Sequence, residues 1–432
     1  LLQGELGEAR EFLTRTQAIK RLQLNLKDFR RLCILKGIYP RVPKHLKAAS
    51  SSNQTFYHVK DIAFLMHEPI LQKFSEIKAF MKKIRRAAGR GWLEEARRLA
   101  EERPVYHVDH LVRERYPRFQ DAIGDLDDAL SLVHLMATLP ADKPLPPERI
   151  AVAQRLVREW NMWVVKARVI RKAFITVKGY YFEAEVEGLP VRWLVPHSFA
   201  LPLPADVDYR IMLTFLEFYE VMVKFVLFKL YHDQGMRYPP IFDDAKDDAG
   251  ASLNAVRLRS LDDEEDDEDE EGDGVAAPSA KRSKKSSSSS SASSSAAATD
   301  GKSGKAKDLS GVLAKIAARA EAEKKEVGEE EEEEEEGEEE DEEGSGEDDG
   351  DVDELVAAMD GEAGEMLLAQ RRLARFRKLF EKKVFFLGRE VPREPFELVI
   401  RAFGGEVGWD GAGSPFSLEH PRITHQVVDR PV

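Results

Sequence analysis

The sequence predicts a multidomain chain: a mainly α-helical N-terminal domain with a small β-hairpin, a long disordered acidic linker, and a partial α/β module at the C-terminal end. Three observations carry this reading. Apolar residues recur at helical spacing from about residue 10 to residue 243. Over 244–372 the composition turns to Asp, Glu, Ser and Gly, too poor in apolar surface to offset the entropy of the chain. From 375 to 432 apolar runs return in the order strand, helix, strand, strand.

The formal net charge of −14 on 432 residues conceals a division. Residues 1–240 hold 39 Lys+Arg against 28 Asp+Glu, whereas residues 241–432 hold 26 against 51. The excess sits at the front, where residues 1–120 have 25 basic and 13 acidic side chains. A basic front and an acidic rear imply a polyanion-binding region with a solvating tail. Cys33 is the single cysteine, which excludes internal disulfides and thiolate zinc sites and suits a reducing compartment. The opening LLQGELGEAREF has acids and no long apolar core, so it reads as neither signal nor transit peptide. It lacks an initiator Met, so the true start is expected upstream.

Taken in order, the first strong element is NLKDFRRLCILKGIYPRVP, residues 25–43. Leu22, Leu26, Phe29 and Cys33 step along one helical face, Asn25 is placed to cap the helix and Gly37 to end it. Cys33 on that face reads as a small core residue. Lys27, Arg30 and Arg31 fall mostly on the other side, a cationic face that runs on into Arg41, Lys44 and Lys47, and Lys36 is a further candidate cation. Short helices follow to about residue 135. One of them ends in Lys82, Lys83, Arg85 and Arg86, where the cations either meet the helix dipole or contact RNA. His107, Asp109 and His110 do not share a helical face and carry no metalloprotease pattern, so no metal is expected. Asp121, Asp125, Asp127 and Asp128 read as a solvated helix face beside Ile123, Leu126 and Leu130.

After the proline-rich connection 140–150, Ile150 to Phe174 reads as one long amphipathic helix with Trp160 and Trp163 in the core. YYFEAEVEGLPVRWLVP predicts a hairpin turning at Glu187-Gly188. The apolar stretch from Asp208 is a buried helix rather than a membrane span, since Glu217, Glu220, Lys224 and Lys229 interrupt it, with Glu220 and Lys224 at pairing distance. In the linker, Lys281, Arg282, Lys284 and Lys285 form a candidate nuclear-localisation cluster, and Ser345 sits among acids as a candidate kinase site. A transient helix is expected at LSGVLAKIAARAEAEKK and a lead-in helix at ELVAAMDGEAGEMLLAQRRLARFRKLF, residues 354–380.

Several blocks in order resemble the Pescadillo family: DFRRLCILKGIYP, TFYHVKDIAFLMHEPI, HLVRERYPRFQDAIGDLDDALSL, VKGYYFEAEVEGLPVRWLVP, DVDYRIMLTFLEFYEVMVKF and YPPIF. FFLGREVPRE, FGGEV and RITHQVVDRP extend the resemblance to the C-terminal module, which is similar to the opening of a BRCT domain. There Gly404-Gly405 lets the chain turn off the helix. Two departures matter: the usual Ser/Thr-Gly of phosphopeptide-binding BRCT domains reads Gly388-Arg389, and the chain stops at Val432 before the remaining elements. Phosphate recognition is therefore not carried over, residues 375–432 are expected to lack cover for their apolar surface and not to fold stably alone, and the natural chain is expected to continue.

The resemblance implies a non-enzymatic scaffold in nucleus, nucleolus and nucleoplasm. It implies membership of the PeBoW complex, with the block-of-proliferation protein and its WD-repeat partner. It also implies work on the pre-60S particle and pre-rRNA, in processing the second internal transcribed spacer toward 5.8S and 25S/28S rRNA, with a link to proliferation. The candidate RNA contacts are the eleven cations named on residues 27–47 and 82–86. No phosphate-binding loop, dinucleotide fingerprint or nucleophile elbow stands in its required context, so no cofactor is expected, and the charges interrupting the apolar stretch from Asp208 argue against a membrane partner. The competing reading is a chromatin or DNA-damage adaptor built on the BRCT module.

Overall fold

The computed structural model describes residues 11–43, 54–142, 144–197, 203–204, 206–261 and 362–429. The ends of the first two helices are set by caps. Strand β1 (Phe12–Thr14) runs into α1 (Arg15–Leu22), where Thr14 and Gln17 form a reciprocal capping box. In α2 (Leu26–Lys36) the Asn25 side chain accepts the Asp28 amide at 2.7 Å, and Gly37, at φ +69°, closes the helix. The expected apolar stripe shifts. Leu22 belongs to the preceding helix and Leu26 is exposed at the start of α2, while Phe29, Leu32, Cys33 and Leu35 are the buried set. Burial pushes the Cys33 thiol up to about 12, which leaves it inert.

The region read as a run of short helices also contains a strand, β2 (Phe56–His58), antiparallel to β1. Three-residue strands carry too little alternation to stand out against helical periodicity. Beyond it come α3 (Val59–Leu65), α4 (Pro69–Gly89), α5 (Leu93–Glu101), α6 (Asp109–Arg115), α7 (Phe119–Gly124), α8 (Leu126–Thr138) and α9 (Pro147–Ala167). Helix α9 stops seven residues short of Phe174. Arg168 takes a left-handed conformation at its end, and the chain continues as strand β3 (Ile170–Thr176). Cations that suggested a helix rim, Arg171 and Lys172, pair across the sheet with Glu185 and Glu183 at 2.8 and 3.2 Å. The expected hairpin is thus two strands of three: β4 (Gly179–Val186) pairs with β3 and with β5 (Leu189–Pro196). Its turn, Glu187-Gly188, has positive φ at both residues, as a tight two-residue turn demands.

Helix α10 (Tyr209–Asp233) is the central post, packed against α2, α6, α8 and α9. Trp160 is fully buried between Trp163 and Trp193, edge-on to the latter at 5.4 Å, and the Trp163 indole donates to the Leu230 carbonyl. Asp127, expected on a solvated face, accepts the Arg192 amide at 2.9 Å and ties β5 to α8. No helix among the described residues is long and apolar enough to cross a membrane.

Folding continues past the expected boundary at 243. Strand β6 (Ile241–Phe242), α11 (Asp244–Asp248), a 3-10 turn (Ser252–Ala255) and β7 (Val256–Arg257) close on Met162 through Leu253 and Val256. The first of these residues are polar, so composition assigns them to the linker, but Leu253 and Val256 anchor them. Residues 262–361, with Lys281, Arg282, Lys284, Lys285, Ser345 and the segment read as a transient helix, lie outside the described residues.

Helix α12 (Glu362–Arg377) matches the expected lead-in helix. It precedes β8 (Val384–Leu387), α13 (Arg393–Ala402), β9 (Glu406–Trp409) and β10 (His425–Val427). The three strands are parallel in the order β10–β8–β9: β8 reaches β9 through α13, and β9 reaches β10 by a crossover over residues 410–424 without a helix. Gly404 has φ +89°, and a Cβ on Gly405 would meet Ile400 Cγ2 at 2.6 Å, so both positions need glycine.

The expectation that this segment has no cover within the chain is overturned. Helix α13 packs on α9 and β3, and Leu398, Ala402 and Phe403 join the core of the helical domain. Glu397 is fully buried, flanked by Arg393 at 3.2 Å and Arg401 at 3.3 Å. Arg393 in turn donates to the Gly250 carbonyl at 2.7 Å and Arg401 to Asn254. Burial nevertheless outweighs the two arginines and pushes the Glu397 carboxyl above its usual range.

Candidate nucleic-acid interface

Helix α2 supplies most of the cations singled out in the sequence, and its neighbours decide what each can do. Lys36, in the last turn, is buried. Its Nζ lies 2.6 Å from Glu68 and 2.7 Å from Glu114, while His110 Nε2 reaches the second Glu68 oxygen at 2.6 Å. Burial pushes the Glu68 carboxyl up, but hydrogen bonds from Lys36 and His110 outweigh it and hold it below its usual range. His110, weighed in the sequence as a metal ligand, belongs to this ion cluster. Among the described residues no group of three His, Cys, Asp or Glu side chains is arranged to hold a metal ion.

One turn earlier, Arg31 pairs with Glu217 at 2.5 Å and lies 5.0 Å from the Tyr106 ring. At the start of the helix, Lys27 and Arg30 are exposed, and neither has an ion-pair partner among the described residues. These two face a groove of about 630 Å³ running between α2 and α10. Arg149, from the first turn of α9, and Arg210, from the first turn of α10, complete its cationic lining, over a floor that includes Leu26, Ile34, Ile211 and Leu213.

The first turns of α2 and α10 therefore line one groove with the positive ends of their dipoles, and α9 adds the Arg149 side chain. Five cations and three acids line it. Two of the three acids have partners of their own. Glu217 holds Arg31, Asp208 caps α10 by accepting the Arg210 amide at 3.2 Å, and Asp28 sits in the first turn of α2, where the dipole favours it. Arg149 reaches Glu220 at 3.0 Å; the i,i+4 spacing of Glu220 and Lys224 had suggested a different partner. Lys27, Arg30 and Arg210 remain open to an anion. Their chemistry is that of phosphate contact without base readout.

The other candidate cations form separate groups. Lys82, Lys83, Arg85 and Arg86 are exposed along the last two turns of α4, with Lys83 Nζ 4.9 Å from the Phe80 ring. Arg41 is exposed, its backbone amide bonded to Phe56. Lys44 and Lys47 lie outside the described residues. Arg149 and Arg210 escaped the sequence reading. Their local signals, Pro146-Pro147 opening one helix and Asp208 capping another, announce helix starts but not that those starts converge on α2.

A family profile described as "Pescadillo N-terminus" matches residues 3–271. Curated relatives, each called a "Pescadillo homolog", match across nearly the whole chain. One from Schizosaccharomyces pombe is 42% identical over 436 residues, covering 99% of this chain and 66% of the relative. One from Chlamydomonas reinhardtii is 46% identical over 449 residues, covering 100% and 61%. One from Arabidopsis thaliana is 39% identical over 427 residues, covering 98% and 64%. The chain thus spans a little under two thirds of the length of these relatives.

Proposed function

The chain belongs to the Pescadillo family, and from that premise we propose that it is a non-enzymatic scaffold of large ribosomal subunit assembly, holding pre-rRNA and partner proteins together in the nucleolus. The observation that supports this best is the groove, where the N-termini of α2 and α10 and the open cations Lys27, Arg30 and Arg210 suit a folded phosphate backbone. The exposed cations at the end of α4 extend the same character over the surface. The partners in this reading are the block-of-proliferation protein and its WD-repeat companion, and the process is removal of the second internal transcribed spacer from the pre-60S particle. Residues 375–432 serve as the opening half of a BRCT domain; the parallel order β10–β8–β9 supports that assignment. With Gly388-Arg389 after β8, this module acts in protein docking rather than phosphopeptide capture.

The test is recovery of the tagged chain from nuclear extract on a density gradient, with its proteins and RNAs identified. The proposal expects it in the pre-60S fractions with the block-of-proliferation protein and spacer-containing RNA. Recovery on chromatin, with duplex DNA and no ribosomal precursor, would establish the adaptor function instead.

A further inference from the structure

A second cleft, of about 550 Å³, lies where the α/β module seats on the helical domain. Lys166, Arg168 and Asn254 line one side; Arg401, Gly404 and Phe416 line the other. Lys166 is exposed in the last turn of α9, and Arg168 is the half-buried residue that ends that helix. The Arg168 guanidinium lies against Gly404, where a Cβ would approach Nη2 to 3.4 Å. The carboxylates nearby are occupied: Glu397 by Arg401 and Arg393, and Glu406 by Arg422 at 3.1 Å. Neither Lys166 nor Arg168 has an ion-pair partner among the described residues. Phe416 brings a half-exposed ring to the same cleft, with the Arg422 guanidinium 5.6 Å from its centroid over one face and His420 edge-on at 5.2 Å.

We propose that this junction takes a single strand of RNA, with phosphates on Lys166 and Arg168 and a base stacked on Phe416. Open cations beside an aromatic ring are the pairing that single strands use, since phosphates want charge and every base has a face to stack. A planar guanidinium held half-buried suits a phosphate fork better than a fully hydrated surface lysine does. The choice of RNA as the strand rests on the ribosomal reading above; the cleft chemistry does not. Because half of the cleft comes from each part, strand binding favours the seated module.

The experiment uses the full chain and a fluorescein-labelled 12-nucleotide oligouridylate, followed by anisotropy from 50 to 200 mM KCl. Replacing Lys166 and Arg168 with Gln should make the log–log salt slope shallower by about 1.4, at about 0.7 per phosphate on a single strand. Phe416→Ala should weaken binding about 5-fold or more with the slope unchanged. Lys166→Gln alone alters an exposed side chain and should give half of the slope change, which covers the case of a double variant that fails to fold. An unchanged slope in the charge variants, or unchanged affinity in Phe416→Ala, overturns the site. A structured RNA hairpin assayed against Lys27→Gln/Arg30→Gln separates the two readings. Loss there with silent junction variants removes the junction site alone, and the reverse removes the groove alone.

Discussion

Both ends of α2 carry cations, and they put them to opposite uses. At its C-terminal end, Lys36 is enclosed by Glu68 and Glu114 and belongs to the fold. At its N-terminal end, Lys27 and Arg30 stand open beside Arg210 at the mouth of a groove. Arg31 lies between them in character as in position, bound to Glu217 yet lining that groove. What separates the two ends is the set of acids that other helices deliver. A buried cation with carboxylates supports the structure, whereas an exposed one without them is available to a partner.

This contrast is most strongly broken by Lys36→Ala. It leaves the Glu68 carboxylate buried with only His110 beside it, and should cost about 3–5 kcal/mol in urea unfolding. A loss below about 1 kcal/mol would mean that the cluster is a surface pair. Next in size is Glu397→Ala, which strands Arg401 and Arg393 at the junction. A cost of about 2 kcal/mol is expected, together with faster proteolytic removal of residues 375–429 from the seated unit. Wild-type proteolysis rates would show that the packing of Leu398, Ala402 and Phe403 suffices without the ion network.

Smaller, but sharper in form, is the effect of pH at Glu220. Burial lifts its carboxyl to about 7, against the opposing pull of Arg149 and Lys224. A raised carboxylate keeps its proton in the folded chain after the unfolded chain has released it. Its contribution to stability therefore falls as pH rises from about 4.5 to 7 and is flat above that window. Glu220→Gln should remove this slope, so the unfolding midpoints of the two proteins should diverge between those values. Parallel profiles would show that the Arg149 pair keeps Glu220 charged. Smallest of all, Lys27→Gln, Arg30→Gln and Arg210→Gln should each leave stability within about 0.5 kcal/mol, the counterpart of the Lys36 result at the other end of the helix.

Much of this was legible in the chain itself. Asn25 and Gly37 marked the ends of α2 because caps are local chemistry, and Trp160 and Trp163 declared a core by their spacing. Glu187-Gly188 announced its turn because few residue pairs accept two positive φ values. Legibility failed where partners are distant in sequence. Nothing near Lys36 announces Glu114, and nothing near Lys27 announces Arg149 or Arg210. The switch from α9 to β3 was missed because Arg171 and Lys172 keep a helical rhythm while pairing across a sheet. The cover over α13 was missed because it comes from α9 and β3, beyond the acidic run in sequence.

The central claim, that the groove cations meet phosphate, is tested most directly by the salt dependence of binding to structured rRNA, in the full chain and in the Lys27→Gln/Arg30→Gln/Arg210→Gln variant. Four to six phosphate contacts predict a log–log slope of about −3 to −5 in the unaltered protein, made shallower by about 2 to 3 in the variant at unchanged helicity. Equal slopes in the two proteins, or a slope near zero in the first, would contradict the account.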